Sequence, residues 1–451
     1  MYPDYDVKCI HSFRDMIHIM ATEHGSDVAF SCTDRDWTYG ELVDQILRLC
    51  TSLARLQQSK VQLQTRDAVK FVALYLATVL VGKVAIFEEN SPLEDTVVVT
   101  DADYPRFITD CSCSISTLPE PNPGALCTIL HSSGTESAPK GIMLSQENLC
   151  SNVVAGLQKC AMDKEDRLIH LLPYSHAFGL VCDLLAPLLV AAKMYILPDQ
   201  ARFLAALPRI KPTSLNVPPV IAEAILRLIQ ATGSPVTVTG GRLRKMLCGG
   251  APLRASVSQE LRRYGIYAYG CYGLSEASPC VAVNRDNHYK DGSAGIPLNC
   301  NQVSIADDGE ILITGSNIML GYYNDPDGTK QVIRNGTLHT GDLGYIDGDG
   351  FLFITGRKGN LIVFSDGTKC SPEILEEQIT ANTAAEEALV YQGKHEMRSS
   401  LCAKIYLPGN ADKAGVQNYV ERLFAPYALD EIELTNTPLP RNKNGKIRRL
   451  R

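Results

Sequence analysis

The stretch Leu130-His131-Ser132-Ser133-Gly134-Thr135-Glu136-Ser137-Ala138-Pro139-Lys140-Gly141 follows a short apolar run that begins at Leu126. An apolar strand that runs into hydroxyls, a glycine and one lysine offers backbone N–H groups, O–H donors and a cation to an anion. A polyphosphate needs such donors at several oxygens together. The loop is not a Walker A motif, because no glycine precedes Lys140 and neither Ser nor Thr follows it. Taken alone, a Ser/Gly loop of this kind is more often a plain turn.

Outward from the loop the chain changes texture three times. Residues 125–295 alternate short apolar strands with helical patterns, as expected of an α/β layered body. From Gln302 to Phe364, short strands such as EILITG and FLFITG are separated by Gly, Asp and Asn turns, which predicts a mostly β region. After Arg357 a hairpin (LIVFSDGTKC) leads to a helix that starts near Ser371-Pro372, then a strand, a helix and a basic tail. N-terminal to the loop, Leu42, Ile46, Leu49 and Leu53 recur at helical spacing behind Thr38 and Glu41, a capping-box pattern. Ala68 to Phe87, broken by Gly82, predicts a helix leading into a strand, and the Pro-rich stretch 116–124 a loop.

The 451 residues exceed what one core usually serves. Hydrophobic residues at 45% and charged residues at 21% are ordinary for a globular protein, and a net charge of −7 argues against a general nucleic-acid partner. The 15 cysteines are scattered without a CxxC pair, and the first residues lack a signal-peptide pattern, so reduced thiols in the cytoplasm are expected. The apolar stretch from Leu180 to Leu197 carries Asp183, Pro187 and Lys193, which suits a buried segment better than a membrane span.

The loop resembles the signature of the superfamily of acyl- and aryl-CoA synthetases, peptide adenylation domains and luciferase, with Glu136 and Ser137 standing where that family has Thr and Gly. Further segments resemble its motifs in the same order: Gly249-Gly250-Ala251-Pro252, Tyr272-Gly273-Leu274-Ser275-Glu276, Thr340-Gly341-Asp342, Gly356-Arg357-Lys358, and Pro440 to Lys446. The resemblance implies a large N-terminal domain over 1–357, made of layered α/β subdomains plus a β-rich subdomain at about 295–357. It also implies a small, mobile α+β lid domain over 358–451.

By the same resemblance Ser132, Ser133, Gly134, Thr135 and Lys140 hold the ATP phosphates, and Gly250, Ala251 and Pro252 border adenine and the acyl pocket. Tyr272 and Gly273 flank adenine, Ser275 touches phosphate, Glu276 holds Mg²⁺, and Asp342 and Arg357 hold the ribose. A hard carboxylate oxygen suits Mg²⁺, which takes only one or two from protein. Lys446 matches the catalytic lysine. His176, in Leu172 to Leu180, matches a histidine beside the acyl pocket. Gly359 stands at the hinge position, where the family often has Asp or Lys.

The implied reaction joins a carboxylate to the α-phosphorus of ATP and releases pyrophosphate. The acyl group then passes to coenzyme A or to the phosphopantetheine of a carrier protein. The chain ends five residues after Lys446, so a separate acceptor is expected. No aspartate that would clamp an α-amino group follows His176 closely, and Asp183 is set aside as remote. A small-molecule fatty acid is the first expectation. An aryl or short branched acid is the alternative, and a non-catalytic nucleotide-binding homologue the third reading.

Overall fold

The computed structural model describes residues 4–87, 93–108, 113–131, 140–285, 288–364, 368–393, 400–409, 411–427, 429–441 and 447–449. The chain divides into two compact units, Met1–Gln302 with Ile313–Leu338, and Val303–Leu312 with His339–Arg451. The architecture is mixed α/β, as the sequence predicts.

In the first unit, a six-stranded sheet runs in the order Gly321–Tyr322, Gly141–Ser145, Leu126–His131, Val84–Ile86, Lys60–Gln64, Thr96–Thr100. The second and third strands of that order, Gly141–Ser145 and Leu126–His131, are antiparallel, with His131 opposite Gly141. The register therefore fixes both ends of the 132–139 loop, whose own residues lie outside the described ones. A second sheet sets Ser214–Val217, Lys245–Cys248 and Tyr267–Gly273 parallel, then turns antiparallel through Cys280–Val283 and Ile296–Pro297. A third sheet pairs Asp36–Thr38, Val28–Ser31, Lys193–Tyr195 and Arg167–Ile169.

The predicted helix is Tyr39–Leu53, with the capping box from Thr38 and Glu41 closed in both directions. It buries Leu42, Ile46, Leu49 and Leu53 completely, at about 1.5–3 kcal/mol of transfer free energy each. The helix Ala68–Leu80 and the strand Val84–Ile86 meet the second expectation. The apolar stretch after Leu180 is buried, but as a π-turn (Val181–Leu185), a short helix (Ala186–Leu189) and a strand (Lys193–Tyr195). Among the described residues no helix is long and apolar enough to cross a membrane.

In the second unit, Thr340-Gly341-Asp342 lies inside the ten-residue strand Thr337–Ile346 rather than in a turn. That strand pairs antiparallel with Leu352–Arg357. The hairpin Ile362–Val363 with Lys369–Cys370 and the helix Pro372–Asn382, capped at Ser371, follow as predicted. The rest is richer in strands than the sequence suggests. Glu387–Gln392 and Leu401–Tyr406 are antiparallel, and Leu429–Thr435 joins in parallel. The last strand, LDEIELT, sits at the sheet edge with no residue buried, so its apolar signal is weak.

Candidate active site

The second sheet ends three parallel strands side by side, and two of the motifs leave from those carboxyl ends, where open α/β sheets bind ligands. Gly249-Gly250-Ala251-Pro252 follows the strand Lys245–Cys248. Gly250 has φ +82°, in the left-handed region where glycine is at no disadvantage, and Gly250, Ala251 and Pro252 are exposed. A side chain at Gly249 would meet the Phe178 ring and Cys271 Sγ, each at 2.9 Å. The His176–Leu180 segment thus lies directly against this turn through Phe178. His176 caps the short helix Ala177–Leu180, and desolvation by the surrounding protein holds its imidazole below the ordinary histidine range.

Tyr272 and Gly273 close the strand Tyr267–Gly273, and Ser275 and Glu276 form the 3₁₀ turn that follows. At Gly273 a Cβ would lie 2.0 Å from the Pro279 carbonyl oxygen, so only glycine lets the turn fold back this tightly. Two buried amides clamp the turn. Asn152 Nδ2 donates to the carbonyls of Ala277 (3.3 Å) and Cys280 (2.7 Å), and Asn317 Nδ2 donates to the same pair at 2.9 and 3.3 Å.

Glu276 and Lys140 are far apart in sequence, yet one tyrosine links them. Tyr322 Oη donates to Glu276 Oε1 at 2.9 Å, and Lys140 Nζ stands 4.5 Å from the centre of the Tyr322 ring. Lys140 also pairs with Asp325 Oδ2 at 3.1 Å. The strand Gly321–Tyr322 pairs with Gly141–Ser145 (Tyr322 opposite Ile142), which brings this tyrosine beside the strand that follows residues 132–139. Burial and the neighbouring Glu276 push the Tyr322 phenol well up, so it remains a donor at neutral pH. The Asp325 carboxyl is held low, first by the Gly328 N–H and then by Lys140. Neither Tyr322 nor Asp325 was predicted. In GYYNDPDGT, Asp325-Pro326 signals a helix N-cap, which Asp325 is, but no local pattern reveals the partner lysine.

Asp183, set aside in the sequence reading, is also structural. Its buried Oδ2 accepts from the N–H groups of Leu171 and Leu172 and pairs with His170 Nδ1 at 2.9 Å. It fixes the start of the segment that carries His176.

In the second unit Asp342 and Arg357 are register partners, and Arg357 Nε pairs with Asp342 Oδ1 at 2.6 Å. Glu310 accepts from the Gly341 N–H (3.0 Å) and from Lys358 Nζ (3.1 Å), which ties down the strand beside Asp342. A Cβ at Gly359 would meet nothing within 4 Å. Ser132, Ser133, Gly134, Thr135 and Lys446 lie outside the described residues.

Among the described residues no three His, Cys, Asp or Glu groups gather that could hold a metal ion. A single carboxylate, Glu276, linked through Tyr322 to Lys140, has the chemistry to hold Mg²⁺, which keeps waters and takes few oxygens from protein. Replacing Tyr322 with Phe removes the hydrogen bond that orients Glu276. We expect kcat/KM for ATP to fall about 10- to 100-fold, as for the loss of a group that orients a metal ligand, with thermal unfolding little changed. Steady-state kinetics over a range of Mg²⁺ concentrations checks this.

These sites define an adenylate-forming enzyme of the acid–thiol ligase class. The sequence pattern of the family described as AMP-binding enzyme matches residues 83–323, and the chain belongs to that family. It is 26% identical to 2-succinylbenzoate–CoA ligase of Bacillus mycoides, over 91% of this chain and 92% of that protein. It is 31% identical to long-chain-fatty-acid–CoA ligase FadD15 of Mycobacterium bovis, over 58% of this chain and 52% of that protein. Among solved structures, ATP-bound MatB from Rhodopseudomonas palustris matches with a TM-score of 0.84 at 24% identity, covering 97% of each chain.

Proposed function

We propose that this enzyme activates an aryl-bearing carboxylic acid with ATP and transfers the acyl group to coenzyme A. The single observation that carries the adenylation step is the Glu276–Tyr322–Lys140 linkage at the end of the phosphate loop. Two anions must meet in this reaction, so the placement of cations dominates its barrier. Mg²⁺ at Glu276 would supply charge against the polyphosphate, and Lys140 and the donors of 132–135 would hold its oxygens. On this reading Tyr272 would stack on adenine, Asp342 and Arg357 would hold the ribose, and Lys446 would bridge carboxylate and α-phosphate.

For the acid, the relative that matches along nearly the whole chain is named for an aryl-bearing acid, whereas the fatty-acid ligase matches over 58% of it. The fatty-acid expectation therefore gives way to its alternative. Coenzyme A is preferred as acceptor because both named relatives are CoA ligases. The reduced thiols of the described residues suit the cytoplasm.

The test is pyrophosphate release from ATP and Mg²⁺ with benzoate, 2-succinylbenzoate, anthranilate, octanoate and palmitate, each with and without coenzyme A. Release with an aryl-bearing acid, raised by coenzyme A, is expected. Release with palmitate alone would restore the fatty-acid reading, and release that coenzyme A does not raise would point to a carrier protein.

A further inference from the structure

Three thiols converge behind the motif turn. Cys182 lies in the π-turn Val181–Leu185, and Cys280 opens the strand Cys280–Val283. Their sulfurs are 3.6 Å apart although the residues are 98 positions apart in sequence. The Cys271 thiol also hydrogen-bonds to Cys280, and Cys271 Sγ contacts the Cys248 carbonyl at 3.3 Å. Buried asparagines fix both backbones. Asn216 Nδ2 donates to the Cys182 carbonyl at 2.7 Å, and Asn152 binds Cys280 through both its N–H and its carbonyl.

We propose that Cys182 and Cys280 form a peroxide-modifiable site whose oxidation to a disulfide shuts the enzyme down. A disulfide needs sulfurs at about 2.0 Å, so the 3.6 Å separation must shorten by about 1.6 Å. Cys280 is placed as the nucleophile because its sulfur faces the Cys182 sulfur at 3.6 Å and also contacts the Cys271 thiol, and a thiolate is the form that reacts.

Its sulfur attacks hydrogen peroxide. An S–O bond forms, the O–O bond breaks, and the departing hydroxide takes a proton to leave as water. The Cys182 sulfur then attacks the sulfenic sulfur. The S–S bond forms, the S–O bond breaks, and the released hydroxide takes the Cys182 proton. In sum, two thiols lose two electrons and two protons to one peroxide and yield two waters.

The consequence follows from placement. Cys280 is the register partner of Gly273, at the base of the turn that presents Glu276. Cys182 lies on the turn directly after the Ala177–Leu180 helix. Because both backbones are tethered, closing the bond draws these two elements together. A shift of about 1 Å at a reacting site costs up to about 10²-fold in rate.

The experiment treats the reduced full chain with hydrogen peroxide, blocks free thiols with iodoacetamide and maps tryptic peptides by mass spectrometry. The expected product joins the peptide 168–193 to the peptide 264–285 through Cys182 and Cys280, and dithiothreitol reverses it. Pyrophosphate release falls at least about tenfold with the cross-link and returns with the reductant. Cys182→Ala and Cys182→Ser keep the activity of the reduced enzyme and resist peroxide. The absence of this cross-link in the wild-type chain overturns the proposal, as does equal peroxide inactivation of the Cys182 variants. The activity readout rests on the adenylation reading and the cross-link does not, so a cross-link without measurable turnover would indict that reading alone.

Discussion

Replacing Glu276 with Gln is expected to lower pyrophosphate release by about 10²- to 10³-fold, the range for removing one preorganised electrostatic group from a transition state. The amide keeps the size and can still accept from Tyr322, so the turn held by Asn152 and Asn317 should remain in place. What it loses is the negative charge that, on the proposed function, binds Mg²⁺ against the polyphosphate. The half-saturating Mg²⁺ concentration should therefore rise along with the fall in kcat, while thermal unfolding in the absence of ligand moves little. Near-wild-type turnover at ordinary Mg²⁺ would remove Glu276 from the metal site. Comparison with Tyr322→Phe separates the carboxylate from its orientation, because the phenyl variant keeps the charge and loses only the hydrogen bond.

Lys446→Ala is expected to reduce adenylation by at least about 10²-fold, again the scale of one transition-state donor. The carboxylate and the α-phosphate are both anionic, and charge grows on the oxygens between them as the bond forms. On the proposed role the Lys446 ammonium would touch both groups only in that state, so kcat should fall while KM for ATP changes little. The second half-reaction needs no such bridge. A preformed acyl-adenylate should therefore pass to coenzyme A in the variant at close to the wild-type rate. Equal losses in both half-reactions would show that the lysine supports the fold of its segment rather than the chemistry.

Much of this protein can be read from local pattern. The helix Tyr39–Leu53 announces itself through Thr38, Glu41 and four apolar residues at helical spacing, because capping and amphipathicity depend on neighbours a turn or less apart. The helix Pro372–Asn382 does so through Ser371-Pro372, for the same reason. The glycine positions carry similar information, since Gly250 at positive φ and Gly273 against the Pro279 carbonyl are steric requirements that the residue type itself records.

The edge strand Leu429–Thr435 was not legible, because an exposed edge has no alternating apolar face to betray it. Nor was the role of Asp183, whose sequence neighbourhood looks like a misplaced charge until the N–H groups of Leu171 and Leu172 are seen to meet it. Tyr322 and Asp325 join Glu276 and Lys140 only through the pairing of Gly321–Tyr322 with Gly141–Ser145, and Cys182 meets Cys280 only through packing of the π-turn on a distant strand. The sequence by itself determined the order of motifs and the chemistry each could carry, because those reside in residue types at short spacing. The tertiary structure alone decided which side chains orient them, because contacts between residues tens to hundreds of positions apart leave no period in one sequence.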